Sequence, residues 1–363
     1  MIGAIAQELL ELTFGDRLFQ AALIFFYVLV GLTGLMVIAA VLLRWRNEWQ
    51  QAHLQHQEAR WKAQLMAVLV GAQPPETLWA IVAPNEALAF CAFLYRFARR
   101  VKGTELAQFR RLARPYLPQL RRAIDRGSPE KRAYYLQILG VLSDENLSEV
   151  LLQALDDPAP LVALVAFRRL ARAENAHLTP HLVDRLHRFS QSSPALLASL
   201  LSRLGFEALP MLRQALSDVQ RPSWVRAVLA ETLSLLNDPH GAFIAARLLQ
   251  EKDLPEELTI ALLRLLAHGG SPAHATILLP YLRHPKEALR LEAVQTLGTI
   301  GDSSSLPLLV EAMHDDSPWV ALAAARALKR QNAFSLLAQL AEQYPSRRLL
   351  IEQVLHESPQ EEP

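Results

Sequence analysis

Hydrophobic positions follow two regimes along this chain. From Leu18 to Leu43 they are almost unbroken: LFQAALIFFYVLVGLTGLMVIAAVLL carries no charged side chain, and only Gln20 and Thr33 are clearly polar. As a helix this stretch would measure about 39 Å, against roughly 30 Å of bilayer hydrocarbon. It predicts one transmembrane helix over 18–43, with 1–17 as a short extracytoplasmic N-terminus. The second regime begins near residue 128, where apolar positions recur three and four apart, as on one face of a helix. Leu289, Ala293, Val294 and Leu297 form one such face, and Val320, Ala323, Ala324 and Leu328 form the next.

These helices repeat. A proline-containing turn opens each unit, a helix of about ten residues closes on leucine, and a tight turn leads to a second helix. The closing leucines are Leu139, Leu170, Leu204, Leu233, Leu266, Leu297 and Leu328, spaced 31, 34, 29, 33, 31 and 31 apart. The opening prolines are Pro129, Pro158 with Pro160, Pro194, Pro222, Pro255, Pro285 and Pro318. Asp156-Asp157 and Asp315-Asp316 stand before the next proline, where a carboxylate can cap the following helix. The pattern is all-α: an α-solenoid of about seven hairpins over 128–345. Residues 44–70 read as a juxtamembrane helix that carries the solenoid away from the membrane. Residues 71–127 read as degenerate or capping helical repeats, and 346–363 as an acidic C-terminal tail.

The units His284 to Asp315 and Asp316 to Gln343 resemble HEAT repeats, most closely the short phycobilisome-lyase-like subtype of bacteria. Proline, an arginine, an alanine-rich helix, Leu-Gly, Gly-Asp and a second apolar helix follow in that order. Arg132, Arg226 and Arg290 fall at the family's usual arginine position, whereas Ala163, Leu197, Thr259 and Ala321 depart from it. The resemblance implies stacked hairpins with one continuous core and an extended concave surface, lined in this family by second helices. It implies a protein partner, with Trp224, Trp319, Arg226 and Arg290 as candidate anchors. Analogy with anchored bacterial repeat proteins suggests a polysaccharide-synthesis, secretion or signalling assembly as client. The subtype's label also brings an alternative: a lyase-type enzyme or enzyme subunit.

Charge orients the chain. Arg17 alone precedes the apolar run, while Arg44, Arg46, Arg60 and Lys62 follow it. Basic flanks stay cytoplasmic. The expectation is a single-pass protein of the bacterial inner (plasma) membrane with its N-terminus out and its solenoid inside. Trp45 and Trp49 suit the inner interface. A secretory signal is the competing reading, but it needs a basic start and a small-residue cleavage site. Here Glu8, Glu11 and Asp16 lead, and Arg44-Trp45-Arg46 follows. The net charge of +1 conceals twelve basic residues between Arg96 and Arg132 against Glu105, Asp125 and Glu130. Arg99, Arg100, Lys102, Arg110, Arg111 and Arg114 form a candidate patch facing anionic lipid. The alternatives are an ordinary solvated helix face and, less well supported, nucleic acid. No aromatic-interleaved reading motif accompanies the segment.

Candidate chemistry is sparse. Cys91 is the chain's one cysteine, set in the apolar run Phe90 to Leu94, so no internal disulfide or cysteine-built zinc site forms. No phosphate-cradling loop, nucleophile elbow or H-E-x-x-H occurs. His53 with His56, and His177 with His181, have helical spacing but no third ligand. Arg110 and Arg114 match an R-x-x-x-R spacing seen at cyclic-dinucleotide sites, without the β-barrel that accompanies it there. The sequence thus predicts no catalytic, cofactor or metal site and a protein-binding role.

Overall fold

The computed structural model describes residues 25–26, 29–42, 44–45, 57–144, 147–251 and 253–357. Among these, every regular element is helical. Residues 1–17, much of 18–28, residues 46–56 and the tail beyond 357 lie outside the described residues. Among the described residues no single helix is long and apolar enough to cross a membrane. The described part of the predicted span is the apolar helix Leu29–Leu42. Its side chains are exposed all round, including Leu32, Leu35, Met36 and Ile38. The chain divides into two compact units, Met1–Leu120 and Arg121–Pro363.

In the first unit, α1 (57–69), the described part of the expected juxtamembrane helix beyond residue 56, packs into the unit's core. Trp61 is wholly buried against Phe90 and Phe93 of α3, with ring centroids 5.4 and 5.7 Å away. Glu58 pairs with Arg96 at 2.5 Å, and Arg60 with Glu86 at 2.9 Å. Proline starts α2 (Pro75–Ile81) and the 3-10 turn that leads into α3 (Ala87–Ala98). Gly103, at φ +60°, opens α4 (Gly103–Ala113), a backbone region that glycine enters freely. Tyr116 returns against Phe90 at 5.3 Å. An aromatic cluster thus holds this unit together, edge to face.

The second unit opens at the end of α5 (Leu117–Ile124) and carries the repeats. First helices are α6 (Pro129–Leu142), α8 (Pro160–Leu170), α10 (Pro194–Ser202), α12 (Ser223–Leu235), α14 (Glu256–Gly269), α16 (Glu287–Ile300) and α18 (Pro318–Arg330). The interleaved second helices are α7 (Ser148–Leu155), α9 (Thr179–Asp184), α11 (Leu209–Ser217), α13 (Pro239–Leu248), α15 (Ala275–Leu282), α17 (Leu306–Ala312) and α19 (Phe334–Gln343). A last helix, α20 (Arg348–His356), closes the stack against α18. All seven closing leucines are at most 1% exposed, so the recurring leucine is the core ladder. Pro129, Pro160, Pro194 and Pro318 occupy first helical positions, where their missing N–H costs nothing. The 34-residue spacing has a local cause. Two 3-10 turns flank α9, and Phe189 in the second meets Phe167 of α8 edge to face at 5.3 Å, where α8 and α10 barely meet.

The two layers pack differently. Apart from that step, each first helix lies along the next first helix, while consecutive second helices barely meet. At two of these steps Leu-Gly permits the closeness. A Cβ on Gly140 would lie 2.6 Å from the Arg169 guanidinium of α8, and one on Gly298 would collide with Ala327 of α18.

Candidate partner-binding surface

The tight layer is that of the first helices, and the second helices splay. Clefts of about 260, 880 and 320 Å³ open between α9 and α11, between the α13–α14 loop and α15, and between α15 and α17. A groove of about 710 Å³ crosses the first-helix layer from α12 to α18, lined by no second helix.

Chemistry in the groove follows from helix register. Arg264, Gln295 and Arg326 each stand two residues before a closing leucine; His268, Thr299 and Arg330 stand two after. With neighbouring helices in contact, these become two stripes. Arg264 Nε donates to Glu292 Oε2 at 3.0 Å, and its Nη1 lies 3.9 Å from Glu231, linking three successive units. Burial pushes the Glu292 carboxyl up, and the Arg264 charge only partly offsets this. Arg326 forms a bidentate pair with Glu357 at 3.0 and 2.6 Å. Arg330 donates to the Thr299 hydroxyl at 2.9 Å and has no carboxylate partner among the described residues. Trp319, in the first turn of α18, is 65% exposed at the groove wall. An exposed tryptophan beside arginines, over a floor of alanine and leucine, has the make-up of a binding hot spot.

Of the sequence-predicted anchors, the structure brings only Trp319 to this groove. Trp224 holds the matching first-turn position of α12, half-buried. The arginines work inside the stack. Arg290 donates to both Asp315 oxygens at 2.7 and 2.9 Å and to the carbonyls of His284 and Pro285. Asp315 accepts the Ser317 N–H at 2.8 Å, and its carbonyl takes Arg347 at 2.6 Å. The same arrangement recurs at Asp157, with Arg132 before it, the Ala159 N–H beside it and Arg188 after it. Each aspartate staples two successive units. Arg226, only 6% exposed, donates to the Leu216 carbonyl at 3.2 Å. Its expected aspartate is Glu251, 3.9 Å away. Where the family arginine is missing, Ala163, Leu197, Thr259 and Ala321 are buried.

In the first unit, Arg99, Arg100, Lys102, Arg111 and Arg114 are exposed and Arg110 is half-buried. Cys91 is wholly buried, and desolvation pushes its thiol up to about 12. No cluster of three metal-ligating side chains occurs among the described residues, where His177 and His181 are exposed; His53 and His56 lie outside them. Sequence reasoning missed Arg264, Glu292 and Arg330. Aligning the units on the closing leucine would have found Arg264 and Arg330 in two stripes, with Glu292 the buried partner of Arg264.

Fold and surface together define a helical-repeat protein of the solenoid class. Residues 244–329, from α13 to α18, match the family model described as HEAT repeats. No curated protein matches the chain. Among solved structures, similarity is found to the complex of CpcE and CpcF of phycocyanin lyase from Nostoc sp. PCC7120. There the TM-score is 0.32 and the identity 17%, over 65% of this chain and 85% of that one. At that score and identity, nothing about this chain's activity follows from the likeness.

Proposed function

We propose that this chain is a membrane-held scaffold whose first-helix groove binds a protein partner at the cytoplasmic face of the inner membrane. The groove carries the reading: solvent-facing Trp319, Arg264 and Arg330 sit on a rigid layer with no catalytic constellation around them. Such a surface suits adhesion to another chain. The membrane part is supported by the apolar helix around Leu29–Leu42. Helices apolar on every side are stable in lipid or inside a larger assembly, not in water. The basic flank of Arg44, Arg46, Arg60 and Lys62 favours the inner face on that side. An envelope assembly such as a polysaccharide synthase, secretion machine or signalling protein is the kind of client that a membrane-held scaffold serves. Confinement to the same membrane raises its effective concentration for such a client.

Co-purification from detergent-solubilised membranes tests the proposal. The wild-type chain is expected to retain one stoichiometric partner and W319A to lose it, at an unchanged melting temperature. Equal retention by both would refute a role for the groove. Purified protein carrying a bound chromophore would favour the lyase-type alternative instead.

A further inference from the structure

We infer that the α3–α4 hairpin of the first unit docks on anionic lipid headgroups, laying α4 along the membrane surface. This inference rests on the membrane-held reading. Arg99, Arg100 and Lys102 cluster at the turn into α4, and Arg111 and Arg114 at its far end. All five are exposed, and none has a carboxylate partner among the described residues. Glu105 is the one acidic side chain on α4. By contrast, Arg96 on α3 is already neutralised by Glu58.

Geometry selects the partner. The two clusters are separated by the length of α4, whose 11 residues span about 16 Å. Thr104, Gln108 and Arg111, at helical spacing, form the exposed stripe between them. A single phosphate cannot reach both ends; an extended anionic sheet can. Nucleic acid is also extended, but recognition of single strands uses presented rings. Here Phe90, Phe93, Phe109 and Tyr116 are buried in the unit's own core. The tether is short as well. Trp45, at the end of the exposed apolar helix, is twelve residue steps from Gln57 in α1, at most about 42 Å of extended chain. Since α1 is pinned to α3 through Trp61 and Glu58, an inserted apolar helix keeps the hairpin close to the headgroups. Each cation at such a surface shifts the docked-to-free ratio by about fivefold at physiological salt, an effect that screening removes.

Full-length protein reconstituted in vesicles tests the inference. The variant Q108C takes a fluorescent donor on the exposed face of α4, because native Cys91 is buried and its thiol stays protonated. Energy transfer to a headgroup acceptor is read in phosphatidylcholine vesicles with and without roughly 30% phosphatidylglycerol, an anionic fraction chosen to give a strong surface potential. Transfer should rise with phosphatidylglycerol and fall back at about 0.5 M salt. It should also fall in R99Q/R100Q/R111Q/R114Q, at least fivefold in the docked-to-free ratio. Flotation with neutral vesicles is measured in parallel. A chain that floats but shows the same transfer in neutral and anionic vesicles overturns lipid docking and leaves the anchor intact. A chain that does not float overturns the membrane-held reading, and this inference with it. Retention of a single-stranded RNA probe at physiological salt, lost in the quadruple variant, would reassign the patch to nucleic acid and overturn the inference.

Discussion

Asp315 accepts two bonds from Arg290 in one unit and, through its own carbonyl, a third from Arg347 in the next. Arginine at this position was legible from the repeat, but its purpose was not. A sequence shows that Arg290 recurs; only the structure shows its carboxylate partner 25 residues on. The side-chain bonds from Arg290 hold the Asp315 carboxyl below its ordinary value. An acid with a depressed native pKa adds stability above its unfolded value near 3.9 and loses it as pH falls through the native value. R290Q should therefore cost about 2 kcal/mol at neutral pH, as loss of a charge-assisted bond does, and the cost should shrink as pH falls below the unfolded value of about 3.9. Glu292 has the opposite sign: burial raises it, so its ionisation works against the fold. E292Q should stabilise the protein near pH 8 and remove the gain that wild type shows as pH falls through the raised native value toward the unfolded value of about 4.3. Urea unfolding across pH checks both. A cost for R290Q that persists unchanged in acid would mean that packing, not the ion pair, holds the staple.

At the scale of elements, leucine period and opening prolines were enough to place the helices of the second unit, because burial of one helical face follows directly from spacing. Which layer packs more closely was not legible. It depends on how closely helices of different units approach, and that is set by single small residues rather than by periodicity. Gly140 and Gly298 both follow closing leucines, yet they differ in what a methyl group would meet. At Gly140 it meets the end of the Arg169 side chain, which can swing away. At Gly298 it meets Ala327, fixed to the backbone of α18. G298A should therefore destabilise by about 2 kcal/mol through overpacking. G140A should be nearly neutral, since helix propensity offsets the smaller clash by up to ~1 kcal/mol. Thermal or denaturant unfolding of the two variants side by side settles this. Equal costs would show that the first helices are not the tight layer. The first unit was less legible, because its core is built from Trp61, Phe90, Phe93 and Tyr116 with no repeat to announce it.

For the whole molecule, the central claim is that a partner sits against the first-helix layer and not against the splayed second helices. Trp319 was legible as a candidate from its residue type, but the groove beside it exists only because four first helices stack in register. Leu322 lines that groove, whereas Phe243 on α13 is exposed on the other layer. A photo-crosslinking amino acid placed at either position in the full-length chain, activated in intact native membranes, reads the two layers directly. The account predicts one discrete crosslinked partner from position 322, lost when W319A is added, and none from position 243. The same partner captured from position 243 alone, or from position 322 regardless of Trp319, would contradict it.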